Sequence, residues 1–429
     1  MLTFLVLFGL PLVYLPFFFF VTLYASYNFV LFIRSFGKWS KPKKIDVNGR
    51  PKVTILYMTY NDLNERALES IFGLNYPNTE VIIVDDSTDP NVRARVDQLA
   101  KDRAKVVRRA TRRGFKAGAI NDALKFVHSE YVSICDSDEL LPPNFVEELL
   151  PYFMDERVAF VQANHYAYNK ENQWTSDMGQ GVDLHWSIYQ PYRNEEGVVN
   201  FLGHGAIIRT DMLREVGGFP ELVSEDIALT VELYDRGYRG VFAQDVMVGE
   251  AFPPTYTQFK RRHRKWSMGS VEFMRKYALR IVRSKGLKIW QKEDLLLSMM
   301  SLPMSAALVF VTIMAFFVSI PVNPSTAIVS ALSVIAPQLM FLKARNLRTL
   351  PRVMTVNALA FMSLFCASVI YVIRGLFSPT FLVTGHRVSS DPELFLEVAV
   401  GLVLTITSGG MNPLGLVMLA SPIYYAIWG

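Results

Sequence analysis

The segment Tyr131–Cys135 is a short apolar strand that stops at Asp136-Ser137-Asp138, two carboxylates separated by one residue. Residues i and i+2 at a strand end project to the same side. Such a pair can face one divalent cation of the hard, oxygen-seeking kind, Mg2+ or Mn2+. An isolated Asp-x-Asp is also an ordinary solvated turn, so its neighbours decide. Lys52–Met58 is apolar and ends at Thr59-Tyr60-Asn61-Asp62. A helical pattern follows from Leu63 to Phe72, and Glu80–Val84 then ends at Asp85-Asp86-Ser87-Thr88. Strand, helix, strand is a βαβ unit, which makes a parallel sheet with its ligand site at the carboxyl ends of the strands. A weaker third strand covers Lys105–Arg108, and Arg113–Asn121 opens a helix running to Val127. Its glycines permit close backbone approach, and Lys116 can serve a phosphate as a point charge.

This soluble-like stretch, about residues 50–290, lies between apolar regions. Met1–Ile33 carries no charge and is long enough for one tilted span of about 20 residues. It lacks the basic start and small-residue cleavage site of a signal peptide. Arg34, Lys38, Lys41, Lys43 and Lys44 follow it and, by the positive-inside rule, place the next segment in the cytoplasm with the amino terminus outside. Further candidate spans are 295–320, 323–342, 393–408 and 411–428. The uncharged run 353–373 is read as an interfacial or re-entrant helix, because Lys343, Arg345, Arg348 and Arg352 precede it and Arg374, His386 and Arg387 follow. The expected location is therefore the cell membrane, multi-pass, in contact with membrane lipids.

Several classes are excluded. The net charge of +5 is small for 429 residues and is partly explained by the clusters beside the membrane, so nucleic-acid binding does not follow. Two cysteines, Cys135 and Cys366, build no disulfide framework. Neither Gly-x-Gly-x-x-Gly nor Gly-x-x-x-x-Gly-Lys-Ser/Thr is present, so a nucleotide must be held by the acidic strand ends. Asp85 or Asp86 suits a uracil or ribose, and Asp136 and Asp138 suit ribose and metal. His204 has no second His or Cys at metal spacing, which argues against a zinc site there. A transporter needs ionisable groups inside its spans, and only Glu397, with Glu393 at the same end, lies in one.

The order of these motifs resembles the GT-A glycosyltransferases of family 2, in particular the membrane-integrated cellulose synthase superfamily. Thr59-Tyr60-Asn61-Asp62 is similar to the family's Thr-Tyr-Asn-Glu, Asp85-Asp86-Ser87 to Asp-Asp-Gly, and Lys116-Ala117-Gly118 to Lys-Ala-Gly. Asp136-Ser137-Asp138 is similar to its metal-binding Asp-x-Asp. Val161–His165 resembles the Val-Gln-Thr-Pro-like strand, Phe201-Leu202-Gly203 the Phe-x-Gly floor of the acceptor site, and Ser224-Glu225-Asp226 the Thr-Glu-Asp that carries the base. Arg262-x-x-Lys265-Trp266 resembles Gln-x-x-Arg-Trp, with two departures: Arg262 replaces Gln and Lys265 replaces Arg. Phe381-Leu382-Val383-Thr384-Gly385-His386-Arg387 resembles the Phe-x-Val-Thr-x-Lys gating loop, with His386 in place of Lys.

The resemblance implies an α/β GT-A domain with a Rossmann-like, mostly parallel sheet, joined to an α-helical transmembrane domain with interfacial helices. The expected divisions are 1–35 as the amino-terminal transmembrane helix, 50–255 as the GT-A domain and 256–292 as interfacial amphipathic helices. Residues 293–429 form a carboxy-terminal transmembrane region that contains an interfacial helix at 353–376 and the gating-like loop at 377–391. Asp226, with Glu225, is implied as the base that takes the acceptor proton. Thr59, Tyr60, Asp62, Asp85, Asp86, Lys116 and Asp136 are implied to bind the nucleotide sugar, and Asp136 and Asp138 the Mg2+ or Mn2+. Phe201, Gly203, His204, Arg262, Arg264, Lys265 and Trp266 serve acceptor and diphosphate, and Phe381, Val383, Thr384, His386 and Arg387 the gating loop.

The expected reaction is one inverting displacement of a hexose from a UDP-sugar donor, glucose being favoured by the Gly203-His204-Gly205 run, into a β-linked cell-surface polysaccharide secreted through the protein's own channel. Two alternatives stand beside it. One is a glycolipid synthase that adds a single sugar to a lipid acceptor. The other is a non-catalytic membrane subunit, which the retained carboxylates disfavour.

Overall fold

The computed structural model describes residues 15–37, 42–45, 49–153, 155–195, 197–300, 328, 332, 335–343, 348–363, 365–377, 392–407 and 413–428. An amino-terminal helix α1 (Leu15–Arg34) precedes β1 (Val53–Thr59), α2 (Glu65–Phe72), β2 (Thr79–Asp85), α3 (Pro90–Ala100), β3 (Lys105–Val107) and α4 (Phe115–Ala123). Then come β4 (Tyr131–Asp136), β5 (Glu139–Leu140), α5 (Phe145–Leu149), β6 (Val158–Ala167) and α6 (Gln173–Arg193). These lead to β7 (Ala206–Arg209), α7 (Thr210–Glu215), α8 (Glu225–Asp235), β8 (Arg239–Glu250), α9 (Tyr256–Arg283) and α10 (Ile289–Met299). The remaining described helices are α11 (Leu350–Ser363), α12 (Phe365–Phe377), α13 (Pro392–Thr407) and α14 (Pro413–Trp428).

All seven residues of β1 are buried, as a central strand covered on both faces requires. The sheet runs β3-β2-β1-β4-β7-β6-β8-β5. Strands β1 to β4 pair parallel, whereas β7 runs antiparallel to both β4 and β6, and β5 antiparallel to β8. The parallel half matches the βαβ reading, and the reversed strands make the sheet mixed. One face packs on α4, α8, α9 and α10 through residues such as Ile120, Leu229, Phe273 and Leu295. The other packs on α2, α3 and α5 through Leu68, Val96 and Phe145. Local chemistry starts these helices where expected: Asn64 Oδ1 accepts from Ala67 N at the start of α2, and Thr255 Oγ1 from Gln258 N at the start of α9.

The basic segment at Tyr256 forms a 28-residue helix that lies within the stretch 256–292 expected to be helical. The run at 353–373 becomes two helices that rest on the catalytic layers. Asn357 of α11 donates to the carbonyl of Asp177 on α6 at 3.1 Å, and the buried Asp177 carboxylate also takes Arg352 at 3.0 Å and Tyr424 at 2.6 Å. Helix α12 meets α9 closely at Gly375, where a Cβ would lie 3.0 Å from the carbonyl of Met268. Helix α1 is tied to the domain by Tyr27, whose hydroxyl donates to Asp294 while Arg193 pairs with the same carboxylate at 2.9 Å. Among the described residues, no helix is long and apolar enough to cross a membrane. The proposed span 295–320 falls mostly outside the described residues, as do the gating-loop residues Phe381, Val383, Thr384, His386 and Arg387.

Candidate functional site

The loops after β1, β2 and β4 meet at the carboxyl edge of the parallel strands. Asp62 organises the first: its Oδ1 accepts from Thr59 Oγ1 at 3.0 Å and Tyr60 N at 2.7 Å, and its Oδ2 from Ser137 Oγ at 2.8 Å. This carboxylate thus clamps the β1 loop to the Asp-x-Asp turn and has little capacity left for a nucleotide. Asn61, at φ 55°, accepts through Oδ1 from the backbone N–H groups of Thr88 and Asp89, which joins the β1 and β2 loops.

Arginines occupy both acids of the second loop. Asp85 accepts from Arg108 Nε at 2.7 Å and from Ser87 N at 2.9 Å. Asp86 forms a two-point pair with Arg109, at 2.8 and 2.6 Å, with Arg112 Nε at 3.5 Å. The Arg112 guanidinium sits 3.5 Å from the centroid of the Tyr60 ring. A base entering here meets a Tyr–Arg stack and neutralised carboxylates rather than the bare acids expected from the sequence.

Lys116 is the centre of the cleft. Its Nζ lies 2.7 Å from Asp136 Oδ1 and 3.9 Å from Glu225 Oε1, and it donates to the carbonyl of Gly203 at 3.1 Å. Gly203, at φ 88°, needs the freedom of glycine, and a Cβ there would sit 3.5 Å from Lys116 Nζ and 3.6 Å from Asp226 Oδ2. Asp226 in turn is fixed by its own Oδ1 accepting from Ile227 N at 2.8 Å. Two groups on α8 are thereby held against the loop before β7, which is pinned by Phe201 N donating to Thr230 Oγ1 at 3.0 Å.

Charge is unevenly shared. Burial pushes Asp136 up, but the Lys116 ammonium and the charges of His204 and Lys265 together hold this carboxyl below its ordinary value. At Asp138 burial, with the charges of Glu250 and Asp136, outweighs the cations His204 and Arg262 and raises the carboxyl to about 7. Burial and the adjacent Asp226 raise Glu225 to about 7, and burial raises Asp226 as well. Burial also lowers Lys265, a cation that acts on both Glu225 and Asp226.

The acceptor candidates divide. Trp266 is 39% exposed with Arg262 4.4 Å above its ring, so one indole is available for a sugar face. Arg262 is drawn to Glu250 at 3.0 Å. Arg264 stands 5.5 Å from the Tyr371 ring of α12. The ring of Phe201 is fully buried and packs edge-on against Phe160 and Phe219. An aromatic there fills the core beneath the cleft, while the neighbouring Gly203 carbonyl faces Lys116.

His204 departs most from its sequence reading. Strand β6 brings His165 against it, rings stacked at 4.7 Å, and Glu139 Oε1 lies 3.1 Å from His204 Nδ1. Burial opposes a charge on His204, but Glu139, Asp136 and Glu250 together lift this imidazole to about 10. Glu139, His165, Glu250, Arg109 and Arg112 were given no role by sequence reasoning, since nothing in their spacing brings them together.

The profile of Glycosyl transferase family group 2 matches residues 131–408. The chain belongs to this family. The sequence-based resemblance to family 2 glycosyltransferases of the cellulose synthase superfamily is thereby met. Similar proteins include glucomannan 4-beta-mannosyltransferase 2 of Arabidopsis thaliana, 28% identical over 59% of this chain and 53% of that protein. Another is glucomannan 4-beta-mannosyltransferase 1 of Oryza sativa subsp. japonica, 27% identical over 56% of this chain and 50% of that protein. The chain spans about half the length of these relatives. In fold it is similar to the mannosyltransferase PcManGT from Pyrobaculum calidifontis in complex with GDP-Man and Mn2+, with a TM-score of 0.53, 20% identity, and coverage of 85% of this chain and 100% of that one. That likeness supports the GT-A-like α/β sheet.

Proposed function

We propose that this chain is a hexosyltransferase that moves a sugar from a nucleoside-diphosphate donor to a glycan acceptor with inversion, building a β-linked polysaccharide. The observation that carries the reading is the single cleft in which Lys116 reaches Asp136 at 2.7 Å and Glu225 at 3.9 Å, with Asp226 across Gly203. A cation-binding side and a base-bearing side are thus a side chain apart.

The oxygen donors of Asp138 and Asp136 fit a hard divalent cation, Mg2+ or Mn2+. When bound, the cation supplies charge neutralisation to the leaving diphosphate. Lys116 and Lys265 add positive charge to the same region, and Lys265 does so as a point charge rather than a bidentate fork. Asp226 takes the proton of the acceptor hydroxyl, and its affinity for protons, raised by burial, suits that task. Trp266 offers the acceptor sugar an apolar face.

The donor is a UDP- or GDP-hexose. The names of the relatives shift the weight from glucose, the sequence-based expectation, to mannose. Residence in the cell membrane, with the catalytic domain cytoplasmic and lipids against the carboxy-terminal helices, belongs to the same proposal. It is supported by the apolar flanks of the sequence and by exposed residues such as Phe395, Ile406 and Ile427 on α13 and α14. The test is to supply a labelled donor panel to the purified protein and to size the product. A high polymer or ladder is expected, and a single lipid-extractable glycoside would assign the chain to glycolipid synthesis.

A further inference from the structure

Beneath the Asp-x-Asp turn lies a second group of potential ligands that the proposed chemistry does not use. Glu139 on β5, His165 on β6 and His204 in the loop before β7 each place one ligand atom within 4.8 Å of the others. Glu139 is fully buried and His165 nearly so. Glu139 Oε1 is within 3.1 Å of His204 Nδ1. The same Oε1 and His165 Nε2 both lie 2.5 Å from the point where a Cβ on Gly205 would be. Glycine there, at φ 62°, leaves that space open between the two groups. Glu139 Oε2 is buried without a hydrogen-bond partner among the described residues, a costly state for a carboxylate oxygen. The neighbouring Cys135 thiol, a weak donor, lies within reach of the Glu139 carboxylate and also of the Asp136 carbonyl at 3.7 Å.

The far side of His165 is also arranged. Its Nδ1 faces Glu250 Oε2 at 3.6 Å, the carboxylate–imidazole orientation that commonly stands behind a metal-ligating histidine. One contact competes: Gln162 Nε2 lies 3.3 Å from His165 Nε2. That amide has other acceptors, the carbonyls of His204 and Gly205 at 3.0 and 3.1 Å, and is not dependent on the imidazole.

We propose that Glu139, His165 and His204 form a binding site for a borderline transition-metal cation of the zinc and cobalt class, separate from the hard-cation site at Asp136 and Asp138. Two imidazoles and one carboxylate are a donor set of that class, the cation displacing the proton that His204 carries beside Glu139, whereas an all-oxygen set selects magnesium or manganese. Ligand bonds of about 2.0–2.2 Å require the three donors to draw together by about 1 Å, which side-chain rotation supplies. The ligands come from β5, β6 and the 203–205 loop, so the cation staples the short edge strand that follows the Asp-x-Asp turn to the strand and loop beside it. It thereby fixes the floor of the cleft.

The test uses Co2+ alone, added without nucleotide to the full-length protein stripped of metal. The wild type is expected to develop the visible d–d absorption of nitrogen-ligated cobalt at one equivalent. Asp138→Asn is expected to keep this band, while Glu139→Gln and His165→Gln lose it. Absence of the band in the wild type, its loss in Asp138→Asn, or its persistence in both other variants overturns the proposal. If the two ligand variants fail to melt cooperatively, anomalous scattering from cobalt-soaked wild-type crystals decides. A peak among the three side chains supports the site, and its absence overturns it.

Discussion

Lys116 Nζ and Asp136 Oδ1 lie 2.7 Å apart, so the lysine of the glycine-containing turn is paired with the first acid of Asp-x-Asp before any donor enters. The pair divides labour between two aspartates of one motif. Asp136 is kept ionised by its cationic neighbours, and Asp138 is left to titrate near neutrality. A diphosphate entering the cleft competes with Asp136 for Lys116, and a cation at Asp138 compensates the added negative charge.

Cation binding to the metal-free protein therefore depends on pH through Asp138. Its carboxyl, raised to about 7, is protonated in acid and must release that proton to bind a hard cation. Mn2+ affinity is expected to rise about tenfold per pH unit below about pH 6, about fivefold between about pH 6 and about pH 7, and to level off above about pH 8. Calorimetric titration across that range checks this. A flat profile would show that Asp138 is already ionised or is not a ligand.

Substitution of the base separates binding from chemistry. Asp226→Asn is expected to lower kcat by about 10²–10⁴-fold while donor affinity, measured by nucleotide titration, stays nearly unchanged. Equal loss of both would place Asp226 in donor binding instead.

Lys265 offers a test of the electrostatics. Its charge favours the ionised forms of Glu225 and Asp226, so Lys265→Met removes that support and the carboxyls hold their protons to higher pH. The acid limb of the kcat/KM profile should move upward. A limb that stays in place, or moves down, would contradict the assignment of the base to this pair.

Lys260 on α9 and Glu397 on α13 form an ion pair with both side chains buried, at 2.5 Å. Removing one partner strands a buried charge, so Lys260→Met or Glu397→Leu should each destabilise the protein by about 3–5 kcal/mol. The double replacement Lys260→Met with Glu397→Leu should recover most of the loss. Chemical denaturation of the four proteins measures the cycle.

What the sequence made legible was local. The strands of the βαβ unit, the acidic loops that end them and the Asp-x-Asp turn are each written in a few consecutive residues. Their positions at one sheet edge follow from the rules of parallel connection. What escaped was assembled across the sheet. His165 and His204 are strand-order neighbours but far apart in sequence, and no ligand spacing announces them. Asp86 reads as an open acid until the fold brings Arg109 across it. Phe201 sits where a family motif points to the acceptor, yet its side chain turns into the core because Phe160 and Phe219 form the apolar pocket below. Glu397 reads as an acid in an apolar run, and only tertiary packing supplies Lys260.

The measurement that bears most directly on the proposed activity is nucleoside-diphosphate release from a panel of UDP- and GDP-hexoses, with Mg2+ or Mn2+, by the wild type and by Asp138→Ala. Cation-dependent release with a preferred hexose, accompanied by labelled glycan and lost in Asp138→Ala, is the expected result. Release that is unchanged in Asp138→Ala, or no turnover of any donor by the wild type, would contradict it.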